Sequence, residues 1–177
     1  MADLPTLAAM KLHLRVTSES EDVLIQEAMD AAITHIERET NLVLSPRTVI
    51  EEVADGGILT PRLRTWPISA VTSVSYRDIA GNVALVEAPA YYSILARRPG
   101  RMGLITPWAP PVTVSGRGTI LVAMEAGFAA GDVPANIVQA VKLVTAEFYK
   151  NREAGGLSEE AQRAISWILR TSKVKTL

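Results

Sequence analysis

Helical and strand patterns occupy separate parts of this 177-residue chain, and that separation limits the folds open to it. Near both ends, apolar residues recur at intervals of three and four, the spacing that buries one face of a helix. The middle carries short β-type runs punctuated by proline and glycine. We therefore predict an α+β fold. It consists of a helical bundle, made from an N-terminal helix, a long helix from Pro134 and a C-terminal helix, with an inserted β-rich module.

The change of pattern also sets the predicted domain limits. Helical segments are expected over residues 5–41 and 134–170, and the β-rich segment over residues 46–131. Together they form one domain, residues 1–170, which is within the usual domain size of about 50–250 residues. The remaining residues, 171–177, are polar and basic and too few to fold alone, so they are predicted to form a flexible arm.

Local signals predict where the helices begin and end. Ser18 and Glu21 have the spacing of a capping box before the long N-terminal helix. Asn41 stands where a residue in the left-handed conformation would end that helix. Pro134 is placed at the first turn of the next helix, where its missing N–H costs nothing. Phe148 lies at the end of the apolar stripe of that helix and is predicted to be buried.

Five strands are predicted in the middle segment, at residues 48–53, 71–76, 83–86, 91–95 and 119–124. The last of these is apolar on both faces, which predicts that it is the most buried strand. Residues 97–118 include four prolines and are predicted to form a long loop.

The residue types that catalysis and metal binding require are scarce. There is no cysteine, which excludes disulfides and thiolate zinc sites. The two histidines, His13 and His35, lie far apart in the sequence, and neither has a second histidine at ligand spacing. No phosphate-binding loop is present. We expect no enzyme activity, no catalytic residue, no cofactor and no metal.

The net charge of −1 is unevenly distributed along the chain. Residues 1–40 carry eight acidic and three basic side chains, whereas residues 134–177 carry seven basic and four acidic ones. A strongly basic nucleic-acid binder would not have this balance. An acidic front could meet the basic back of another copy, a heterologous contact that builds rings when it closes. On charge alone, a solvated acidic helix and a solvated basic tail is the simpler interpretation.

All basic residues between positions 41 and 133 are arginines. Arginine forms paired hydrogen bonds with carboxylates and phosphates and is enriched at protein interfaces. A compositional bias from a GC-rich genome explains the same usage equally well. The clustered residues Arg97, Arg98 and Arg101 are our candidates for a subunit interface or a DNA channel.

Beyond these patterns, the order of several short motifs resembles the head–tail connector (adaptor) family of tailed bacteriophages and phage-like gene transfer agents. The resemblance spans roughly residues 10 to 153. Its motifs are Lys11-Leu-His-Leu-Arg15, Glu21-Asp22, Pro67-Ile-Ser-Ala-Val-Thr-Ser-Val-Ser-Tyr76, Ala126-Gly-Phe128, Val133-Pro134 and Phe148-Tyr-Lys-Asn-Arg-Glu153.

This resemblance implies a structural assembly protein. Relatives form a homo-oligomeric ring, commonly dodecameric, beneath the portal, where it joins the capsid to the tail and continues the DNA channel. The implied partners are the portal protein, a tail-side stopper or tail terminator protein, and double-stranded DNA that passes without sequence readout. No membrane partner is expected. The implied location is the neck of a virion or phage-like particle, and the host cytoplasm before assembly.

The exposed C-terminal arm is expected to engage the portal. The candidate portal-binding residues are Arg170, Lys173, Val174, Lys175 and Leu177. Two alternatives stay open at this point. One is a small DNA-binding or packaging regulator that acts as a dimer through a basic C-terminal helix. The other is an enzyme whose active site uses carboxylates alone.

Overall fold

The computed structural model describes residues 2–53, 62–77, 81–87, 90–105, 120–151 and 156–174. Within these ranges the chain forms four helices and seven strands. They are α1 (Leu7–Leu14), α2 (Asp22–Thr40), β1 (Arg47–Val53), β2 (Arg62–Leu63), β3 (Ile68–Arg77), β4 (Val83–Val86), β5 (Tyr91–Ile94), β6 (Gly100–Leu104), β7 (Ile120–Ala126), α3 (Ala135–Lys150) and α4 (Glu159–Leu169). Helices lie at both ends and strands between them, which confirms the α+β prediction.

The chain divides into two compact units. The helical unit comprises Met1–Leu44 and Phe128–Lys173. The strand unit comprises Ser45–Gly127, to which Val174 is also assigned. The limits of the strand unit lie close to those predicted for the β-rich segment, residues 46–131.

Helix α3 is the element that the other helices of the helical unit share, because it contacts α1, α2 and α4. Its buried side chains are Ile137, Val138, Ala140, Val141, Val144 and Thr145. Met10 of α1 packs with Ile25 and Met29 of α2 in a separate cluster, against which Tyr149 at the end of α3 also packs. The apolar stripes predicted from the sequence therefore face one another.

The end of α2 follows the sequence signal, but its start does not. Asn41 has φ 58° and ends the helix, as predicted. The predicted capping box is wrong, because α2 begins at Asp22 and Glu21 makes no capping bond with its side chain. Ser18 instead accepts a hydrogen bond from the amide of Ser20. The Glu21 carboxylate accepts one from the hydroxyl of Tyr149 on α3, so a tertiary contact replaces the local one.

Two further helix predictions need small corrections. Pro134 is the residue just before α3, with an extended ψ of 135°, rather than a member of the first turn. Phe148 is half-buried, not buried, and meets His35 of α2 edge to face, with ring centroids 6.1 Å apart. At this position α3 turns partly toward solvent, so the apolar stripe is fully covered only as far as Val144 and Thr145.

The strand unit is organised around β7, which lies between β1 and β3 in an antiparallel sheet of order β1-β7-β3-β4. Four alternate residues of β7 are buried, and its intervening ones are half-buried. This agrees with the prediction that the apolar run at 119–124 would be the most protected strand; Thr119 itself lies outside the described residues. Strands predicted at 48–53, 71–76 and 83–86 are also present.

A second antiparallel sheet has the order β2-β6-β5. Strand β5 was predicted, but β2 was missed, and β6 lies within the stretch predicted to be a loop. The sequence of β6, Gly100-Arg101-Met102-Gly103-Leu104, has little intrinsic β preference because it contains two glycines. Hydrogen bonding to β5 and β2 therefore stabilises this segment as a strand, although its own residues do not favour one. Residues 106–119, which include the proline-rich stretch, lie outside the described residues.

Gly127 has a backbone conformation that no other residue would adopt without strain. Its φ is 129°, and a Cβ here would approach the carbonyl oxygen of Ser45 to 2.5 Å and Pro46 to 2.6 Å. Its amide donates to the carbonyl of Pro67 at 3.0 Å. The glycine of the Ala126-Gly-Phe128 motif therefore lets β7 end close against the start of the strand unit.

A stability comparison tests the packing of α3. Ile137→Ala removes a fully buried side chain and is expected to lower the free energy of unfolding by about 2–5 kcal/mol. Phe148→Ala should cost less than the roughly 3–5 kcal/mol of a fully buried phenylalanine. Urea unfolding followed by circular dichroism measures both, with the exposed Gln139→Ala as the control. A loss of about 3–5 kcal/mol for Phe148→Ala, the range of a fully buried phenylalanine, would contradict the half-buried placement.

Candidate interaction surfaces

The candidate sites among the described residues are surfaces that carry charged and apolar side chains. Among them, no group of three or more histidine, aspartate or glutamate residues is placed to hold a metal ion. His35 packs against Phe148. None of the helices in the described part of the chain has both the length and the apolar character needed to cross a membrane.

The segment that follows α4 is held by α3 through one side chain. The amide of Asn136 donates to the hydroxyl of Ser172 at 2.9 Å and to the carbonyl of Ile168 at 3.3 Å. The backbone amides of Ser172 and Lys173 both donate to the carbonyl of Leu169, at 2.9 and 3.2 Å. Ser172 is buried as a result. The described part of the predicted arm, residues 171–174, is thus packed, while residues 175–177 lie outside the described ranges.

An ion pair adds to this attachment. The ammonium group of Lys173 lies 2.9 Å from a carboxylate oxygen of Glu39 at the end of α2. The hydrogen bond from Lys173 lowers the pKa of Glu39, although partial desolvation acts in the opposite direction. The charge of Lys173 is therefore already compensated within the chain.

The predicted portal-binding residues have different environments. Arg170 is exposed directly after α4 and forms no ion pair within the described ranges. Lys173 is paired with Glu39, and Val174 is buried. Lys175 and Leu177 lie outside the described residues.

The three candidate arginines of the strand unit are close in sequence to β6. Arg97 and Arg98 are exposed in the turn between β5 and β6, and Arg101 is a half-buried residue of β6. Arg101 lies directly opposite Arg62 of β2 and Ile94 of β5. Residues directly opposite each other in antiparallel strands project from the same face, so Arg62 joins this group.

An aromatic ring lies on the same face of the sheet. Tyr92 of β5 is opposite Gly103 of β6, and a Cβ on Gly103 would overlap the tyrosine ring. The glycine therefore lets the ring lie directly on the sheet. Tyr92 and Ile94 are both 41% exposed. We call this set of six residues the arginine surface: Arg62, Tyr92, Ile94, Arg97, Arg98 and Arg101.

The positive charge of the arginine surface is not compensated by the described part of the chain. Like charges directly opposite each other destabilise a sheet, as for Arg62 and Arg101. None of the four guanidinium groups forms an ion pair with a described carboxylate. Partial burial lowers the pKa of Arg98.

The sequence alone did not indicate that Arg62 belongs to the arginine surface, because no local pattern predicts the pairing of β2 with β6.

An opposite charge is exposed on α2 of the helical unit. Val23, Glu27 and Asp30 follow one another at intervals of four and three and are exposed, and Leu24 is exposed beside them. Glu27 and Asp30 form no ion pair with the described cations, and Asp30 accepts a hydrogen bond from Gln26. We call these four residues, Val23, Leu24, Glu27 and Asp30, the acidic surface.

Residues 5–77 match the family model described as "Phage gp6-like head-tail connector protein". This match confirms the resemblance for the motifs that lie in that range, between Lys11 and Tyr76. Within it, Lys11 of the first motif forms a 2.5 Å ion pair with Asp22 of the second. The motif residues therefore fasten α1 to the start of α2. No curated protein sequence matches the chain.

The chain is similar to three solved structures of gene transfer agent (GTA) particles. The neck of an empty GTA particle computed with C6 symmetry has 25% identity and a TM-score of 0.74, covering 97% of this chain and 90% of that one. The virion of a native GTA particle has 26% identity and a TM-score of 0.72, with the same coverage. The neck of a native GTA particle computed with C12 symmetry has 24% identity, a TM-score of 0.68, and covers 100% of this chain and 97% of that one. The last likeness is one of fold.

The attachment of residues 171–173 should depend on Glu39. Because the pKa of Glu39 is lowered in the folded chain, the ion pair stabilises above the ordinary glutamate pKa of about 4.3 and is lost as the pH falls through the lower folded value. Exposed pairs contribute little, so Glu39→Gln at pH 7 is expected to reduce hydrogen-exchange protection of the Ser172 and Lys173 amides by up to about fivefold. NMR exchange rates measure this, with Glu27→Gln as the control. Unchanged protection in Glu39→Gln would contradict the proposed attachment.

Proposed function

We propose that this protein is a structural head–tail connector that forms a ring beneath the portal of a phage-like particle. The observation that carries the proposal is the likeness, over 97% of the chain, to a component of a gene transfer agent neck. The match of residues 5–77 to the head–tail connector model points the same way. The proposed mechanism is binding and not catalysis: the ring joins capsid to tail.

The ring is proposed to be a homo-oligomer, with twelve copies as the expected number. Two of the similar structures are necks computed with C6 and C12 symmetry, which supports a circular arrangement. The lumen of such a ring would continue the DNA channel, and double-stranded DNA would pass through it without sequence readout. The helices would form a bundle, and the strand unit is inserted in the chain between α2 and α3. A stopper or tail terminator protein would bind on the tail side.

Portal binding is proposed to involve the C-terminal residues Arg170, Lys173, Val174, Lys175 and Leu177. Among the described ones, Arg170 is best suited to a direct contact because it is exposed and without an ion pair. Lys173 would either contact the portal while it stays paired with Glu39, or give up that ion pair and bind a portal carboxylate instead.

Arg97, Arg98 and Arg101 are proposed to face either a neighbouring subunit or DNA.

The rival function, a DNA-binding regulator, depends on a basic C-terminal helix. Helix α4 does not provide one, because it begins with Glu159 and Glu160 and its single arginine, Arg163, is paired with Glu159 at 3.2 Å. Phosphate binding needs several uncompensated cations on one surface, and α4 offers none. A regulator that acts through its C-terminal helix therefore has less support than the connector.

Reconstitution with the portal protein of the same particle tests the proposed function. The purified chain is expected to bind the portal and to appear by electron microscopy as a symmetric ring on one end of it. The regulator predicts instead a dimer that binds a DNA site tightly at physiological salt, with no affinity for the portal. That result would overturn the connector proposal.

The contribution of the C-terminal residues can be tested with a truncation that keeps every described residue. A chain ending at Val174 keeps the buried Ser172 and Val174 and removes only residues 175–177. Combined with Arg170→Ala, it is expected to weaken portal binding about tenfold or more, because charged contacts at an interface contribute strongly to affinity. Arg163→Ala, which removes an exposed arginine of α4 that is paired with Glu159, is the matched control and should bind normally. Normal affinity of the truncated Arg170→Ala variant would exclude the C-terminal residues from the portal contact.

A further inference from the structure

We propose that the arginine surface of one copy binds the acidic surface on α2 of a second copy, and that this contact links neighbouring subunits of the ring. The proposal deepens the proposed function, since it assigns the partner of Arg97, Arg98 and Arg101. It adds Arg62, Tyr92 and Ile94 on one side, and four residues of α2 on the other.

The first argument is charge. The arginine surface carries four guanidinium groups without a described carboxylate partner, two of them directly opposite each other in the sheet. Such a pair is unfavourable until an anion approaches both groups. A carboxylate accepts two parallel hydrogen bonds from an arginine, so an acidic side chain near Arg62 and Arg101 would relieve this repulsion. Glu27 and Asp30 are exposed carboxylates without a described cation, and they supply the required charge.

The second argument is the apolar content of both surfaces. Tyr92 and Ile94 are each 41% exposed beside the arginines. On α2, Val23 is 70% and Leu24 is 42% exposed beside Glu27. Tyrosine and arginine are typical of the centre of protein interfaces, where apolar contacts exclude water around the charged groups. Each surface therefore combines exposed apolar residues with charges, which are positive on the arginine surface and negative on the acidic surface.

Double-stranded DNA is the other polyanion that the arginine surface could meet. A phosphate backbone would satisfy the arginines through sequence-independent contacts. It would leave the Ile94 side chain without an apolar partner, and it would leave Val23 and Leu24 on α2 unexplained. The second copy accounts for both surfaces at once, so we prefer it.

The contact has the symmetry that a ring requires. The two surfaces lie on different parts of the chain, so a copy that uses its arginine surface keeps its acidic surface for the next copy. Such a heterologous contact repeats from copy to copy and closes into a ring when the rotation permits. Two copies bound by this contact alone would still have one unused surface each.

Charge reversal and its compensation test the contact. Arg62→Glu with Arg101→Glu should weaken self-association about 100-fold or more, because like charges facing each other across an interface cost several kcal/mol. Glu27→Arg with Asp30→Arg should do the same from the other side. A chain that carries all four substitutions restores opposite charges and is expected to recover most of the association. Sedimentation velocity over a range of protein concentrations measures free self-association, and electron microscopy counts the copies bound to the portal.

Controls separate this contact from loss of folding and from the proposed function. Circular dichroism checks each variant, and Glu160→Arg with Arg163→Glu on α4 provides a double reversal that should leave association unchanged. A wild-type chain that binds the portal, together with reversal variants that form the same complete ring, would overturn the contact and leave the connector function intact. Normal rings that no longer retain DNA would assign the arginines to DNA instead. A wild-type chain that neither self-associates nor forms a multi-copy ring on the portal would also overturn it.

Discussion

The buried face of α3 is the contact on which the rest of the helical unit depends. Its apolar residues meet α1, α2 and α4, so none of those helices could be buried as observed without it. The two ends of α3 add polar contacts to this packing. Asn136 near its start holds the residues after α4, and Tyr149 near its end bonds to Glu21 before α2. The two ends of α3 thus hold a residue just before α2 and a residue just after α4.

The motifs that resemble those of connectors act mainly within the fold. Lys11 pairs with Asp22, Glu21 accepts from Tyr149, and Gly127 permits a close backbone approach that a side chain would block. These contacts connect segments of the chain to each other and leave the exposed charges to other residues. The resemblance to connectors consequently identifies the framework, while the arginine and acidic surfaces are features of the exposed sequence between the motifs.

The arginine surface and the acidic surface carry uncompensated charges of opposite sign, an arrangement that favours association between copies of the chain. In an isolated chain, water and salt screen these charges but leave part of the repulsion between Arg62 and Arg101, and an association between copies brings each charge to an opposite one. The contribution of a rim charge pair falls with salt, whereas apolar neighbours such as Ile94 and Val23 contribute independently of it. A contact of this mixed kind would let subunits associate with the correct partner surface and remain together after water is excluded.

The sequence by itself determined the elements whose signals are local. The stripe of α3, the apolar run of β7 and the left-handed Asn41 each depend on neighbouring residues in the chain, and each is present in the structure. The α+β class followed from the same signals. So did part of the candidate site, because Arg97, Arg98 and Arg101 cluster in sequence.

Only the tertiary structure decided which distant segments meet. Glu21 bonds to Tyr149 rather than capping its own helix, because a partner 128 residues away offers a better-placed hydroxyl. Strand β6 exists because β2 and β5 pair with it, and that pairing alone puts Arg62 opposite Arg101. The attachment of Ser172 and Lys173 likewise requires Asn136 and Glu39. Periodicity records which side of an element is buried, but the identity of the group it faces depends on long-range packing that no local pattern contains.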